Sequence, residues 1–164
     1  MIVFGIDPGL ANVGLAVVEE TGKKATALFH HCQTTRAQDP LPERLLQIYE
    51  ATRDVIRCHR PDVVAMEEQY LKKQAGVAFS VGQAVGVIQL ACAQAGLEVC
   101  LYGPMHVKQA LVGTGRAEKD QVIYMVKASL GLRVLSNNHA ADALALALTH
   151  LASHRLKGLA QRSP

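Results

Sequence analysis

The sequence has few aromatic residues and no long apolar run. Tryptophan is absent, and the 164 residues include only three phenylalanines and four tyrosines. No uninterrupted apolar segment approaches the roughly 18 residues that a membrane helix needs, so the pattern argues against a membrane-spanning segment. No basic and then apolar leader follows Met1. We therefore expect a cytoplasmic protein that does not bind membranes.

Cysteine and charge are limited as well. The four cysteines include no C-x-x-C pair, and they are Cys32, Cys58, Cys92 and Cys100. We expect reduced residues of the core rather than zinc ligands or disulfides. Charged residues make up 19% of the chain and hydrophobic residues 49%, which excludes a disordered chain. Because no repeat or linker interrupts the sequence, we predict a single domain over residues 1–156 and a flexible tail over residues 157–164.

The net charge of +3 is spread unevenly along the chain. Residues 1–70 hold 7 basic and 10 acidic side chains, whereas residues 71–164 hold 10 basic and 4 acidic ones. A basic half beside an acidic cluster suits a polyanion that is held near metal-binding carboxylates. A charge excess of this size is also found on ordinary solvated surfaces.

The apolar pattern predicts an α/β fold, a five-stranded mixed sheet flanked by helices. Predicted strands cover residues 2–6, 14–18, 25–34, 63–66 and 98–102. Predicted helices cover residues 40–60, 76–95 and 117–130, a short segment opened by Pro104, and a last helix capped by Asn137 or Asn138 that ends near His154. The first three strands form a meander, and βα crossovers add the remaining strands in parallel.

Acidic and metal-binding side chains stand at the ends of three predicted elements. Asp7 ends the first strand before a Pro-Gly turn, Glu67 ends the fourth strand, and His139 and Asp142 begin the last helix. Ligands three residues apart share one face of a helix. Carboxylates on neighbouring strand ends suit Mg²⁺ or Mn²⁺, and two such cations can stabilise an in-line phosphoryl displacement. We therefore predict that these four residues form a metal site.

Two of these residues, Asp7 and Asp142, also have a structural interpretation. Asp7 can form an Asx turn at the Pro-Gly corner, and Asp142 can interact with the helix dipole. Glu68, next to Glu67, is expected to point to the other face of the strand as a solvated acid.

Nucleic-acid contacts are predicted in two basic loops. Tyr70 lies beside Lys72 and Lys73, where an exposed aromatic ring can stack on bases while the lysines bind phosphates. The loop around Gly113 and Gly115 is bordered by further basic residues, which are Lys108, Arg116 and Lys119. A half-buried tyrosine anchor and ordinary surface charge are the alternatives.

Six segments, in order over residues 1–151, carry a family resemblance. They are Gly5-Ile-Asp-Pro-Gly9, Ala65-Met-Glu67, Gly82-Gln-Ala84, Val107-Lys-Gln109, Ala117-Glu-Lys119 and Ala140-Ala-Asp-Ala-Leu144. In these segments the chain resembles the RuvC family of bacterial Holliday-junction resolvases, within the ribonuclease H-like superfamily.

The resemblance implies a homodimer that nicks two opposed strands of a four-way DNA junction, leaves ligatable 5′-phosphate ends and acts with the RuvA–RuvB branch-migration complex. By position, Asp7, Glu67, His139 and Asp142 are similar to the family's catalytic metal ligands, with two Mg²⁺ or Mn²⁺ ions per site. Lys108 and Lys119 match its DNA-contacting lysines.

The chain departs from the family pattern at three positions. His139 stands where some members have Asp, Val85 where some have Arg, and Tyr70 where an aromatic residue, typically Phe, is found near the junction crossover. Imidazole is a softer ligand than carboxylate, so His139 can shift the cation preference toward Mn²⁺.

Two other functions are compatible with parts of the pattern. A nucleotide-binding module of the actin and sugar-kinase type begins with a similar strand and Asp-Gly turn, but it needs a second lobe for which this chain is too short. A non-catalytic DNA-binding subunit is disfavoured because four candidate ligands are retained, and buried acids without a metal are costly.

Overall fold

The computed structural model describes residues 1–69 and 75–160. Five strands are present in this part of the chain: β1 (Ile2–Asp7), β2 (Asn12–Thr21), β3 (Lys24–Thr34), β4 (Val63–Glu67) and β5 (Val99–Tyr102). The helices there are α1 (Leu41–His59), α2 (Ala75–Gln94), α3 (Pro104–Val112), α4 (Lys119–Leu130) and α5 (Asn138–Ala160).

The strands form one mixed sheet in the order β3-β2-β1-β4-β5. β1 and β2 pair antiparallel, as do β2 and β3, whereas β4 runs parallel to both β1 and β5. The predicted meander at one side and the parallel strands at the other are confirmed. Since β1 and β4 are parallel neighbours, their carboxyl ends meet at one edge of the sheet.

Successive strand residues point to opposite faces of the sheet and contribute to two apolar cores, one on each face. Phe4 and Ile6 of β1 face α1 and α2, together with Ile48 of α1 and Ile88 of α2. Val3 faces the other side, where α5 supplies more of the buried side chains than any other element and α3 and α4 pack around it. A sheet covered on both sides gives strands that are apolar throughout, which is the pattern of residues 2–6 and 63–66.

Two glycines allow α5 to lie unusually close to the sheet. A Cβ atom on Gly5 would overlap the carbonyl oxygen of Ala143, and one on Gly14 would overlap the carbonyl oxygen of His139. Glycine in a strand often marks such a close approach of another backbone. The first turns of α5 are therefore seated directly over β1 and β2.

Several boundaries differ from the predicted ones. β2 and β3 continue to a tight turn in which Gly22 has a φ of 64°, so residues 19–21 and 24, which lie between the predicted strands 14–18 and 25–34, are also strand. α4 begins at Lys119 because Glu118 is its N-cap, in a capping box with Gln121. α5 continues through residues 157–160, which the sequence assigned to the tail, and residues 161–164 lie outside the described part.

The cysteines are free thiols, as predicted, but they are not all in the core. Cys92 is buried and Cys58 is exposed, while Cys32 and Cys100 are intermediate. Burial raises the pKa of the Cys92 thiol to about 11. The prediction of core positions was wrong for Cys58, because it lies on the solvent face of α1. None of the helices described here is both long and apolar enough to cross a membrane.

Candidate active site

The four predicted ligands are carried by the elements that meet at the carboxyl ends of β1 and β4. Asp7 is the last residue of β1 and Glu67 the last of β4, and the paired residues Ile6 and Met66 immediately precede them. His139 and Asp142 lie in the first two turns of α5. Topology thus brings three distant segments of the chain to one edge of the sheet.

Asp7 and His139 are in direct contact. The distance between Asp7 Oδ2 and His139 Nδ1 is 2.7 Å, and the Asp7 side chain is only 12% exposed. Burial raises the pKa of Asp7 above its ordinary value, and the charge of Asp142 adds to this effect. The hydrogen bond and charge of His139 and the charge of Lys119 lower the pKa. Asp7 is therefore a desolvated carboxylate whose charge depends on nearby cationic groups.

Asp142 is paired with a lysine from another helix. Lys119 Nζ lies 2.9 Å from Asp142 Oδ2. The same two residues line a cavity of about 360 Å³ with Glu67, Lys108 and Glu118, and the apolar part of its wall comes from α3, α4 and α5. Three acidic and two basic side chains thus line one open space.

The helix-dipole interpretation of Asp142 does not agree with the structure. The N-cap of α5 is Asn137, whose Oδ1 accepts a 3.1 Å hydrogen bond from the Ala140 N–H. The first turn of α5 contains no acid, since Asp142 lies one turn further along. Its position is explained by the cavity it faces rather than by capping.

The donor set fits a hard divalent cation by its chemistry. Three carboxylates and one imidazole are oxygen and nitrogen ligands of the kind that Mg²⁺ and Mn²⁺ accept. Within the described residues, no three His, Cys, Asp or Glu side chains are grouped closely enough to hold a metal as they stand. His139 contacts Oδ2 of Asp7 and Lys119 contacts Oδ2 of Asp142, so a cation that binds these oxygens would have to displace the two contacts.

Two of the predicted DNA-contacting residues lie at the candidate site. Lys108 and Lys119 line the cavity with Glu67 and Asp142. Arg116 is exposed in the loop before α4 and is not part of the cavity wall. Tyr70, Lys72 and Lys73 lie outside the described residues.

Sequence reasoning missed the residues that position the site. Gly5 and Gly14 bring α5 down onto β1 and β2, and Glu118 caps the helix that begins with Lys119. Isolated glycines inside apolar strand patterns were the available signal for the first two. The Lys119–Asp142 contact joins residues 23 apart in the chain, and no local pattern indicates it.

Comparison with known proteins identifies the family. The model for crossover junction endodeoxyribonuclease RuvC matches residues 3–150. The chain belongs to the RuvC family. It is 43% identical over 157 residues to a crossover junction endodeoxyribonuclease RuvC of Desulfitobacterium hafniense, covering 95% of each chain. RuvC nucleases are metal-dependent.

Solved structures agree with this assignment. RuvC of Thermus thermophilus in complex with a Holliday junction substrate superposes with a TM-score of 0.92 and 43% identity, covering 96% of each chain. The yeast mitochondrial Holliday junction resolvase matches with a TM-score of 0.67 over 97% of this chain and 83% of that chain. At 14% identity the second likeness concerns the fold alone. The predicted ribonuclease H-like fold is confirmed.

Proposed function

We propose that this chain is a structure-specific DNA endonuclease, a crossover junction endodeoxyribonuclease that resolves Holliday junctions in homologous recombination and repair. It nicks two opposed strands symmetrically and leaves ligatable 5′-phosphate ends. The observation that carries the proposal is the RuvC family match over residues 3–150, with Asp7, Glu67, His139 and Asp142 at one edge of the sheet. Residues 1–156 act as one nuclease domain, because a single sheet with a core on each side runs through them.

The catalytic groups are Asp7, Glu67, His139 and Asp142, which would hold Mg²⁺ or Mn²⁺, two ions per site. When bound, such ions stabilise the attacking and leaving oxygens of a phosphodiester. Asp7 is held on a buried strand end, so its position is fixed by the sheet rather than by a loop. Without a metal, His139 contacts the Asp7 carboxylate, so the two side chains already lie side by side before a cation binds.

The basic residues hold the DNA. Lys108 and Lys119 are placed to contact phosphates beside the scissile bond, since both line the cavity that Glu67 and Asp142 face. Arg116 extends this contact along the exposed loop before α4. We assign Tyr70 to stacking at the junction crossover and Lys72 and Lys73 to backbone phosphates, from their residue types and sequence positions.

The active form is a homodimer, because two symmetric sites are needed for two opposed strands. α2 offers a face for self-association. A Cβ atom on Gly82 or Gly86 would meet no atom within 4 Å, and Phe79 and Leu90 on the same side are 70% and 52% exposed. Ala84 and Ala91 pack instead in the protein's own core. The dimer works with the RuvA–RuvB complex in the cytoplasm.

A cleavage assay tests the proposal. A synthetic immobile four-way junction and a linear duplex of the same sequence are each incubated with protein and with Mg²⁺, Mn²⁺ or EDTA. We expect paired nicks in opposed strands of the junction, which ligase can seal, and no cleavage of the duplex or in EDTA. Equal cleavage of duplex and junction would contradict junction specificity.

A further inference from the structure

We propose that Lys119 acts as a substrate-released counter-ion, which occupies the Asp142 carboxylate in the DNA-free protein and delays metal binding until a DNA phosphate draws it away. The inference rests on the proposed function and adds a coupling between DNA binding and metal binding. It assigns Lys119 a role besides simple phosphate contact.

The contact itself is the first observation. Lys119 Nζ and Asp142 Oδ2 are 2.9 Å apart, within the range of a charge-assisted hydrogen bond. The carboxylate oxygen that accepts this bond belongs to a candidate metal ligand. A divalent cation and the ammonium group therefore compete for the same oxygen.

The place of Lys119 in its helix is the second observation. Lys119 is the first residue of α4, and the Glu118–Gln121 capping box fixes the backbone there. A cation at the first turn lies at the positive end of the helix dipole, where it does not stabilise the helix. The Asp142 carboxylate is thus the favourable partner of Lys119, and a DNA phosphate in the cavity would be a second one.

The mobility needed for release is available. The side chains of Lys119 and Asp142 are 52% and 38% exposed, so the pair is not locked in the core. An exposed ion pair holds its partners only weakly and is screened by salt. A phosphate anion that enters the cavity can therefore take Lys119 from Asp142 and leave the carboxylate to the metal.

Lys108 provides a matched control. It lines the same cavity. Among the described residues, however, the ion pair of Asp142 is made with Lys119 and not with Lys108. Removing either lysine lowers the positive charge near the site by one. Only removal of Lys119 frees the Asp142 oxygen, so the difference between the two variants isolates the contact.

The experiment measures binding of Mn²⁺ alone, without DNA, from the electron paramagnetic resonance signal of free Mn²⁺. We expect Lys119→Met to bind Mn²⁺ about two- to fivefold more tightly than Lys108→Met, which is the effect size of an exposed ion pair. In an Asp142→Asn background, Lys119→Met and Lys108→Met should bind Mn²⁺ equally, because only the contact with Asp142 distinguishes the two lysines. The increase in Mn²⁺ affinity of Lys119→Met should be smaller at high salt, because salt already weakens the Lys119–Asp142 ion pair.

Two outcomes separate this inference from the proposed function. Equal Mn²⁺ affinity in Lys119→Met and Lys108→Met overturns the counter-ion role but leaves the metal site intact. Mn²⁺ binding that Asp142→Asn does not change overturns the ligand role of Asp142 in the proposed function, and the counter-ion role with it. Since Lys119 is half-exposed, we expect the variant to fold, and circular dichroism checks this.

Discussion

At the scale of single residues, the negative charge of the Asp7 carboxylate is unfavourable for the stability of the folded protein. Asp7 is buried at the end of β1, and burial raises its pKa although His139 and Lys119 act against this. An ionised carboxylate in such a place destabilises the folded state unless a cation compensates it. Function and stability therefore make opposite demands on Asp7.

Asp7→Asn should abolish cleavage, leave junction binding intact and raise the melting temperature of the DNA-free protein. The amide keeps the size of the side chain but removes the charge that a metal needs. At pH 7 we expect a gain of about 1 kcal/mol, or roughly 2–4 °C for a domain of this size. Cleavage kinetics, gel shift and calorimetry measure the three effects.

The pH dependence of this gain has a definite sign. Folding raises the pKa of Asp7 above 3.8, so the native state binds the Asp7 proton more tightly than the unfolded state does. As the pH rises from 3.8 through the raised pKa, Asp7 ionises and the native state loses stability. The advantage of Asp7→Asn is complete above that range and disappears as pH falls through it. Asp142→Asn is the control, because it loses the Lys119 pair and should not be stabilised. A lower melting temperature for Asp7→Asn at pH 7 would contradict the argument.

His139→Asp separates two roles of the imidazole. As a metal ligand, His139 can be replaced by a carboxylate, so single-turnover cleavage with Mg²⁺ should persist or increase. Without metal, the new carboxylate would face Asp7, where Nδ1 now lies 2.7 Å from Oδ2, and like charges should lower the melting temperature until Mg²⁺ is added. Loss of activity at every Mg²⁺ and Mn²⁺ concentration, with junction binding intact, would show that the imidazole transfers a proton.

At the scale of elements, the site depends on how closely α5 approaches the sheet. His139 and Asp142 reach the end of β1 because Gly5 and Gly14 present no side chain under the helix. In the register of the sheet, Gly14 is the partner of Asp7 itself. Gly14 on β2 thus makes room for the first turn of α5 directly beside the Asp7 carboxylate on β1.

Gly14→Ala should impair catalysis while all four candidate ligands remain. The added Cβ would overlap the His139 carbonyl oxygen, so the first turn of α5 must move away from Asp7. A displacement near 1 Å can lower a rate about 100-fold, and overpacking typically destabilises by about 1–3 kcal/mol. Cleavage and thermal unfolding measure the two effects, and full activity with an unchanged melting temperature would contradict the close approach.

The sequence predicted the elements, and the places of the candidate ligands at their ends, better than it predicted the contacts between elements. Helix α1 ends at His59 before Pro61, as the proline requires, and Asp7 and Glu67 were placed correctly because each ends an apolar run. The close approach at Gly14 and the Lys119–Asp142 pair were missed. Both depend on where α5 and α4 pack, which is a tertiary property without a local pattern.

At the scale of the whole molecule, two lysines from the basic half of the sequence line a cavity at the acidic edge of the sheet. α3 and α4 bring Lys108 and Lys119 to the cavity that Glu67 faces. Lysines that contact phosphates release counter-ions from DNA, so they contribute to the salt dependence of binding.

Lys108→Ala should lower the slope of log affinity against log salt by about 0.9 on duplex arms, for one lost phosphate contact. Junction binding measured from 50 to 300 mM salt in Ca²⁺ gives the slope. Lys23→Ala serves as the control and should leave the slope unchanged. Lys23 lies in the turn between β2 and β3, at the end of β2 opposite to Gly14, which pairs with Asp7. The same slope in both variants would reduce Lys108 to ordinary surface charge.

One exposed face of α2 is the proposed contact between two copies of the chain. The exposed face of α2 carries Phe79, Gly82, Gly86 and Leu90, which recur at helical spacing on one side. Two glycines with open space above them let two such helices approach closely, and a large apolar residue on either side supplies buried area. This surface fits a second copy of the chain related by a two-fold axis.

Gly86→Glu should therefore give a monomer at micromolar concentration in light scattering, because the long charged side chain would stand where the helices meet. Ala128→Glu, on the exposed face of α4, adds the same charge elsewhere and should remain a dimer. On a cruciform plasmid we expect the proposed dimer to make two nicks within one binding event and to yield linear product. The Gly86→Glu monomer should release nicked circles instead, because each active site then acts alone. A Gly86→Glu protein that stays dimeric would exclude α2 from the interface, and a wild-type monomer that yields linear product would exclude the dimer.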